Sequence, residues 1–417
     1  MLLTSLIRIF LTRSLRPFEF KNTYRKFLDF EAEQELGLYV HIPFCRKICT
    51  FCPYCKTYYD KDLAAKYKLA LLREIEMVGS RLKTKKEVTS LYFGGGTPAL
   101  MKDSLKEIID CLEKYFIITQ GIGIELHPDD IDEPTIKSLK SAGITMVSVG
   151  VQSFNQKCLS SLGRENTGVE EKLKLVAQAN FNVVDVDLIF ALPKQTEELL
   201  LSDIEKAFLL GATQISTYPF IDFTFANNTY KPMPEKEKKK MLQSISDYCK
   251  RIGKERTAVW TFAQKNTGRY SSVTRDSFLG FGVSAATLLS REFKINTFSI
   301  DGYLNRIKNN LLPTSLTLDF TLRQRAVYHL FWSAYSMQII PTRFQELIGR
   351  PLSKMYGLEL WLAENLGFIT KQNDTYCLTD RGAYYYHYLE QAYTTAYIDK
   401  MWNISRITPF PEKIVLK

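Results

Sequence analysis

The sequence predicts an α/β fold, an open barrel of six βα units that carries an α-rich, winged-helix-like part at its C-terminal end. Between about residues 36 and 220, short β-rich runs alternate with amphipathic helical stretches. That alternation implies a parallel sheet with right-handed crossovers. Six units make a barrel smaller than the closed eight-unit form. The last hundred residues turn helical again around a short β-like insert.

The strand runs are 37–42, 88–93, 122–126, 145–151, 183–190 and 213–218. Helical runs lie between them at 61–83, 103–116, 133–142, 168–180 and 197–210, with apolar residues such as Leu69, Leu72, Ile75, Met77 and Val78 in the first. A helix over 235–253, a strand over 257–262 and the stretch Phe278-Leu-Gly280-Phe-Gly282-Val-Ser284-Ala follow. Leu358 to Leu366, then Gly367-Phe368-Ile369 and Tyr376-Cys-Leu-Thr-Asp-Arg-Gly382, read as helix, β-wing and helix. The expected organisation is a basic lead-in (1–35), the barrel (36–230), a substrate-side extension (231–310) and a C-terminal accessory domain (311–417). No internal repeat is present.

In the lead-in, Leu2, Leu3, Leu6, Ile7, Phe10 and Leu11 share one helical face, with Arg8, Arg13 and Arg16 elsewhere. Residues 1–16 therefore suit either a membrane surface or packing on the protein. No small-residue cleavage site follows, so a cleavable signal is not expected. Arg8 and Arg13 also interrupt the only long apolar run, which excludes a polytopic membrane protein. With 45 % hydrophobic and 24 % charged residues among 417, global disorder is excluded. The net charge of +10 favours anionic partners: nucleic acid, acidic lipid or a polycarboxylate substrate. Lys238-Lys239-Lys240 reads as a solvated helix face.

Half of the eight cysteines crowd into His41-Ile-Pro-Phe-Cys45-Arg-Lys-Ile-Cys49-Thr-Phe-Cys52-Pro-Tyr-Cys55. This points to metal chemistry in a reducing, cytoplasmic compartment rather than to a disulfide scaffold. A zinc ribbon needs a second Cys or His pair, and the four histidines (41, 127, 329, 387) have no paired spacing. Three thiolates at x3 then x2 spacing can instead hold three irons of a [4Fe–4S] cube and leave the fourth open. Cys55 is the ambiguous member, since a fourth thiolate would close the cluster. Cys111, Cys158, Cys249 and Cys377 stand singly and read as packing residues.

Barrel chemistry sits at the C-terminal ends of strands. The cysteine loop ends the first run, Tyr92-Phe93-Gly94-Gly95-Gly96-Thr97-Pro98 the second and Glu125 the third. Val151-Gln152-Ser153-Phe154 ends the fourth and Asp187-Leu-Ile-Phe-Ala-Leu-Pro193 the fifth. Five polar or glycine-rich features thus converge where one site requires them.

The cysteine spacing after the run Leu38 to Ile42 resembles the radical S-adenosylmethionine (SAM) superfamily, and Tyr39-Val-His-Ile-Pro-Phe-Cys45 resembles its oxygen-independent coproporphyrinogen III oxidase family. The resemblance covers most of residues 36–390, with the stronger motifs in the first half. It implies a partial (β/α)6 radical SAM barrel and a cluster on Cys45, Cys49 and Cys52. SAM would bind at Gly94, Gly95, Gly96, Thr97, Glu125, Gln152, Arg164 and Asp187, with Arg164 pairing bidentately with its carboxylate. Tyr39, the catalytic candidate, would pack against SAM or substrate, and Phe281 either does the same or belongs to the structural core. The implied chemistry is reductive cleavage of SAM to a 5′-deoxyadenosyl radical that abstracts hydrogen from substrate, fed by a flavodoxin or ferredoxin.

The family's Cys-Gly-Cys is replaced by Cys52-Pro53-Tyr54-Cys55, and Ala191 stands for the usual glycine before Leu-Pro-Lys-Gln-Thr, a mild change. The His-Asn-x-x-Tyr-Trp segment of the haem-chaperone branch is absent, Arg269-Tyr-Ser-Ser-Val-Thr-Arg-Asp standing near its place. Three readings remain. One is oxidative decarboxylation of tetrapyrrole propionates. Another is a radical methyltransferase that binds two SAM molecules and acts on an aromatic or quinone-like ring. A third is a non-catalytic haem- or cluster-binding carrier, against which Glu125, Gln152, Arg164 and Asp187 weigh. The family's accessory domain covers substrate, so nucleic acid is not an expected partner.

Overall fold

The computed structural model describes residues 2–226, 228, 230–268 and 276–417. Six barrel strands pair in parallel and in chain order: Gly37–Ile42, Leu91–Gly95, Ile122–Leu126, Met146–Gln152, Val183–Phe190 and Gln214–Pro219. A seventh, Phe278–Phe281, joins in parallel beside the first. Helices Lys61–Gly79, Lys102–Glu113, Glu133–Ser141, Val169–Gln178 and Glu197–Leu209 make the crossovers. Asp60, Asp132 and Thr196 start three of them by accepting a backbone N–H of the first turn, a cap contributing about 1 kcal/mol each.

Side chains alternate across the sheet as the period of two demands. On the fifth strand Val184, Val186, Leu188 and Phe190 pack into the helix-facing core. Val183 turns inward with Tyr92 and Met146, and Asp185 and Asp187 continue on that inner face. Antiparallel strands extend the sheet to fourteen, with Phe18–Lys21 near the far edge between Thr314–Asp319 and Lys413–Leu416. At the C-terminal end, helices Pro341–Ile348 and Leu352–Asn365 precede the wing Ile369–Gln372 and Thr375–Leu378, which Gln338–Ile339 extends to three strands. Among the described residues no helix is long and apolar enough to cross a membrane.

Several expectations are corrected. The run 88–93 divides: Lys86–Val88 pairs with Phe116–Ile118, and the barrel strand begins at Leu91. The run 257–262 is a hairpin, Glu255–Ala258 against Thr261–Ala263. In the first crossover helix the buried stripe is Ala64, Tyr67, Leu71, Ile75 and Val78, while Leu69 is solvent-exposed. Lys238 is buried, its ammonium donating to Gln391 Oε1 at 2.6 Å; only its two neighbours face solvent. Of the stretch Arg269 to Asp276, residues 269–275 lie outside the described residues.

Ala191 proves more than a mild change, because its φ is +59°. A side chain in this left-handed region costs about 1–2 kcal/mol, and glycine avoids that cost while losing some unfolded-state entropy. Ala191→Gly is expected to raise unfolding stability by about 0.5–1 kcal/mol, read by urea denaturation.

Candidate active site

The strand ends meet at the barrel mouth. Beyond the first strand, Phe44–Cys45 pairs with Thr57–Tyr58 and closes the cysteine loop on itself. Gly96 N–H donates to Ile42 C=O and Thr97 N–H to Phe44 C=O, both at 2.7 Å, zipping the glycine segment to that loop. The glycines are sterically required. A Cβ on Gly96 would lie 2.6 Å from Phe44 O and 3.0 Å from Cys45 Sγ, and one on Gly95 would lie 2.6 Å from the His41 ring. Gly94 lets Glu125 and Tyr39 approach, its notional Cβ being 3.0 Å from each.

Cys45 is buried, whereas Cys49 and Cys52 are half-buried; all are free thiols. Burial pushes the Cys45 thiol up to about 12 and raises that of Cys49, against the opposing charge of Arg164. The loop is ringed by cations: Arg46 pairs with Asp130, Lys56 donates to Cys52 C=O, and Arg406 donates to Pro53 C=O. Among the described residues no three His, Cys, Asp or Glu side chains lie close enough to share a single metal ion. A four-iron cube asks for a wider triangle of thiols, and this donor set of three cysteines suits it. Cys55 turns away into the main core and its thiol donates to Phe298 C=O at 3.3 Å.

The remaining residues build a charge pattern. Glu125 Oε2 accepts Gly95 N–H at 3.0 Å and Oε1 accepts the Tyr92 hydroxyl at 3.1 Å, so it also braces the glycine segment. Burial raises its carboxyl. Asp187 accepts Ser148 Oγ–H at 2.8 Å, and burial, Asp185 and Glu125 hold its carboxyl well above the usual range. Arg164 is 7 % exposed. Its Nε donates to Asn166 Oδ1 at 3.1 Å and its Nη2 to Gly150 C=O, and it has no carboxylate ion pair among the described residues. Gln152 has a φ of 70° beside a register shift between the fourth and fifth strands, and its amide makes no hydrogen bond among the described residues. Bulges and strained backbone of this kind re-aim side chains at sites. Tyr39 stacks on Tyr92 at 6.3 Å and its hydroxyl lies 3.1 Å from His41 Nδ1. Phe281 is 1 % exposed and belongs to the core, away from this group.

Three buried carboxyls, Glu125, Asp187 and Asp185, thus line the barrel's inner face, and Asp187 and Arg164 feel each other's charge. The third, Asp185, was missed by motif reading, although it lies two residues before Asp187 and alternation places it on the same inner face. Ser216 Oγ–H donates to it at 2.8 Å, yet Oδ1 is buried without a hydrogen-bond partner among the described residues. Burial raises its pKa to about 6. A carboxyl whose pKa is raised on folding weakens the fold as pH climbs through the interval between its unfolded and folded values. Asp185→Asn is therefore expected to raise Tm at pH 7.5 but not at pH 4, as calorimetry would show.

Residues 39–207 match the family model described as the Radical SAM superfamily. A match of this kind implies a [4Fe–4S] cluster and SAM. The relatives are of two kinds, coproporphyrinogen oxidases and heme chaperones. Oxygen-independent coproporphyrinogen III oxidase of Pseudomonas aeruginosa is 27 % identical over 317 residues, 68 % of each chain. Heme chaperone HemW of Bacillus subtilis is 26 % identical over 362 residues, covering 82 % of this chain and 95 % of its own. In fold, the chain matches coproporphyrinogen III oxidase (HemN) of Escherichia coli with a TM-score of 0.75 at 21 % identity, over 93 % of this chain and 98 % of that one.

Proposed function

We propose that this chain is a radical SAM enzyme that removes propionate carboxyl groups oxidatively from a tetrapyrrole. The observation that carries the reading is three available thiols beside a buried guanidinium that has no carboxylate ion pair among the described residues, with the buried carboxyls of Glu125 and Asp187 on neighbouring strand ends. SAM bears a sulfonium, an ammonium and a carboxylate, and this charge pattern complements it. When bound, the cluster supplies the electron that cleaves SAM and so provides a carbon radical able to take hydrogen from substrate.

The chain's own residues bind, orient and shield. Cys45, Cys49 and Cys52 hold the iron. Arg164 takes the SAM carboxylate in a two-point hydrogen bond, and Gln152 supports it with its free amide. Glu125 and Asp187 accept from the ammonium and ribose hydroxyls. Gly94, Gly95, Gly96 and Thr97 keep the second strand's end against the cysteine loop. Tyr39, braced by Tyr92 and His41, would pack against bound SAM and help keep water out. A tetrapyrrole tetracarboxylate suits a chain of net charge +10, and the coproporphyrinogen oxidases among the relatives support that class. The electron comes from a flavodoxin- or ferredoxin-like protein.

Anaerobically reconstituted, reduced protein given SAM and coproporphyrinogen III should release methionine, 5′-deoxyadenosine and carbon dioxide together with a vinyl product. S-adenosylhomocysteine in place of carbon dioxide would assign methylation instead. Haem binding without any nucleoside release would place the chain with the heme chaperones among its relatives.

A further inference from the structure

The helix Leu2–Thr12 is docked inside out. Its polar stripe is the buried one, Thr4, Arg8 and Thr12 being 8, 7 and 5 % exposed. Leu3, Leu6 and Phe10 on the opposite side are 43, 55 and 42 % exposed. A surface helix of a globular protein ordinarily buries its apolar stripe, so the expected packing of this segment on the protein is reversed. Part of the buried polar stripe is satisfied within the segment itself: Thr12 Oγ1 donates to Arg8 C=O at 2.7 Å, and the Arg8 guanidinium to the carbonyls of Ser14 and Arg16.

A second helix, Leu352–Asn365, lies beside this segment. Tyr356 OH donates to Leu11 C=O at 3.3 Å. The Arg13 guanidinium lies 4.6 Å over the Phe10 ring and ion-pairs with Glu359. Around Glu359, Leu358, Trp361 and Leu362 are 57, 58 and 37 % exposed, and their spacing puts them on one helical face. Of the arginines near the N-terminus, Arg8 lies on the buried side and Arg13 is paired with Glu359, which leaves Arg16 as the exposed cation beside the apolar stripe.

We propose that these two helices dock the protein on an anionic lipid surface. Exposed aliphatic side chains on a short amphipathic helix with arginines beside them have the composition of an interfacial helix. A tryptophan at the border is suited to the headgroup layer. Arg16 and the +10 net charge complement acidic lipid. The helix is too short to span a bilayer, so it lies on one. This docking is independent of the substrate proposed above.

Full-length protein is expected to float with phosphatidylcholine vesicles containing about 30 mol% phosphatidylglycerol, and less with neutral vesicles or in high salt. Leu6→Glu with Phe10→Glu should weaken this by roughly tenfold or more, with unchanged Tm and circular dichroism because both side chains already face solvent. Brominated lipid should quench a fluorescence component that Trp361→Phe removes. Failure of the wild type to float, or equal flotation of the double variant, would overturn the proposal. A dimer in light scattering that the double variant dissolves, without vesicle binding, would do so too and assign the surface to a second copy.

Discussion

Cys49→Ala is expected to abolish iron retention and SAM cleavage together, while Cys55→Ala keeps both. Cys49 is half-buried beside Arg164 and contributes little packing, so its loss should leave the circular dichroism of the fold unchanged. With only Cys45 and Cys52 remaining, a four-iron cube has two anchors in place of three. Cys55 is a core residue whose thiol donates to a carbonyl on a different segment. Its truncation should cost about 1 kcal/mol of stability and no iron. Iron and sulfide analysis with the absorbance near 400 nm decides the matter. Loss of the cluster on Cys55→Ala would show that the fourth cysteine is a ligand after all.

Gly96→Ala should be nearly as damaging, although it removes no polar group. Its Cβ would meet backbone at 2.6 Å (Phe44 O) and 2.9 Å (Pro43 C) and sulfur at 3.0 Å (Cys45 Sγ). Backbone atoms cannot rotate away as a side chain would, so the second strand's end must separate from the cysteine loop. Two hydrogen bonds of 2.7 Å that zip these segments would lengthen with it. A displacement of about 1 Å at a reacting centre costs on the order of 100-fold in rate, and a loss of at least that size in 5′-deoxyadenosine release is expected. Gly143→Ala is the control, since its Cβ would meet nothing within 4 Å; its φ of +86° predicts a stability loss of about 1 kcal/mol without a matching loss of cleavage. Equal activity of Gly96→Ala and wild type would remove the glycine segment from the site.

Residue order alone carried the βα alternation, the cysteine triad and the convergence of polar strand ends, because each depends on local spacing: a period of two or 3.6, or a short loop around a cluster. Chain-distant packing was not legible. Nothing local distinguishes Cys55 from its three neighbours until the Phe298 carbonyl, 243 residues away, receives its thiol. Nothing local tells that Lys238 meets Gln391, that Ala191 must adopt a left-handed φ, or that Asp185 is left inside the barrel with an oxygen lacking a hydrogen-bond partner among the described residues. The first helix shows the division most plainly. Its amphipathic period is written in residues 2–12, but which stripe turns inward depends on what the rest of the chain presents to it. Burial is a property of both partners in a contact, and only the folded chain supplies the second.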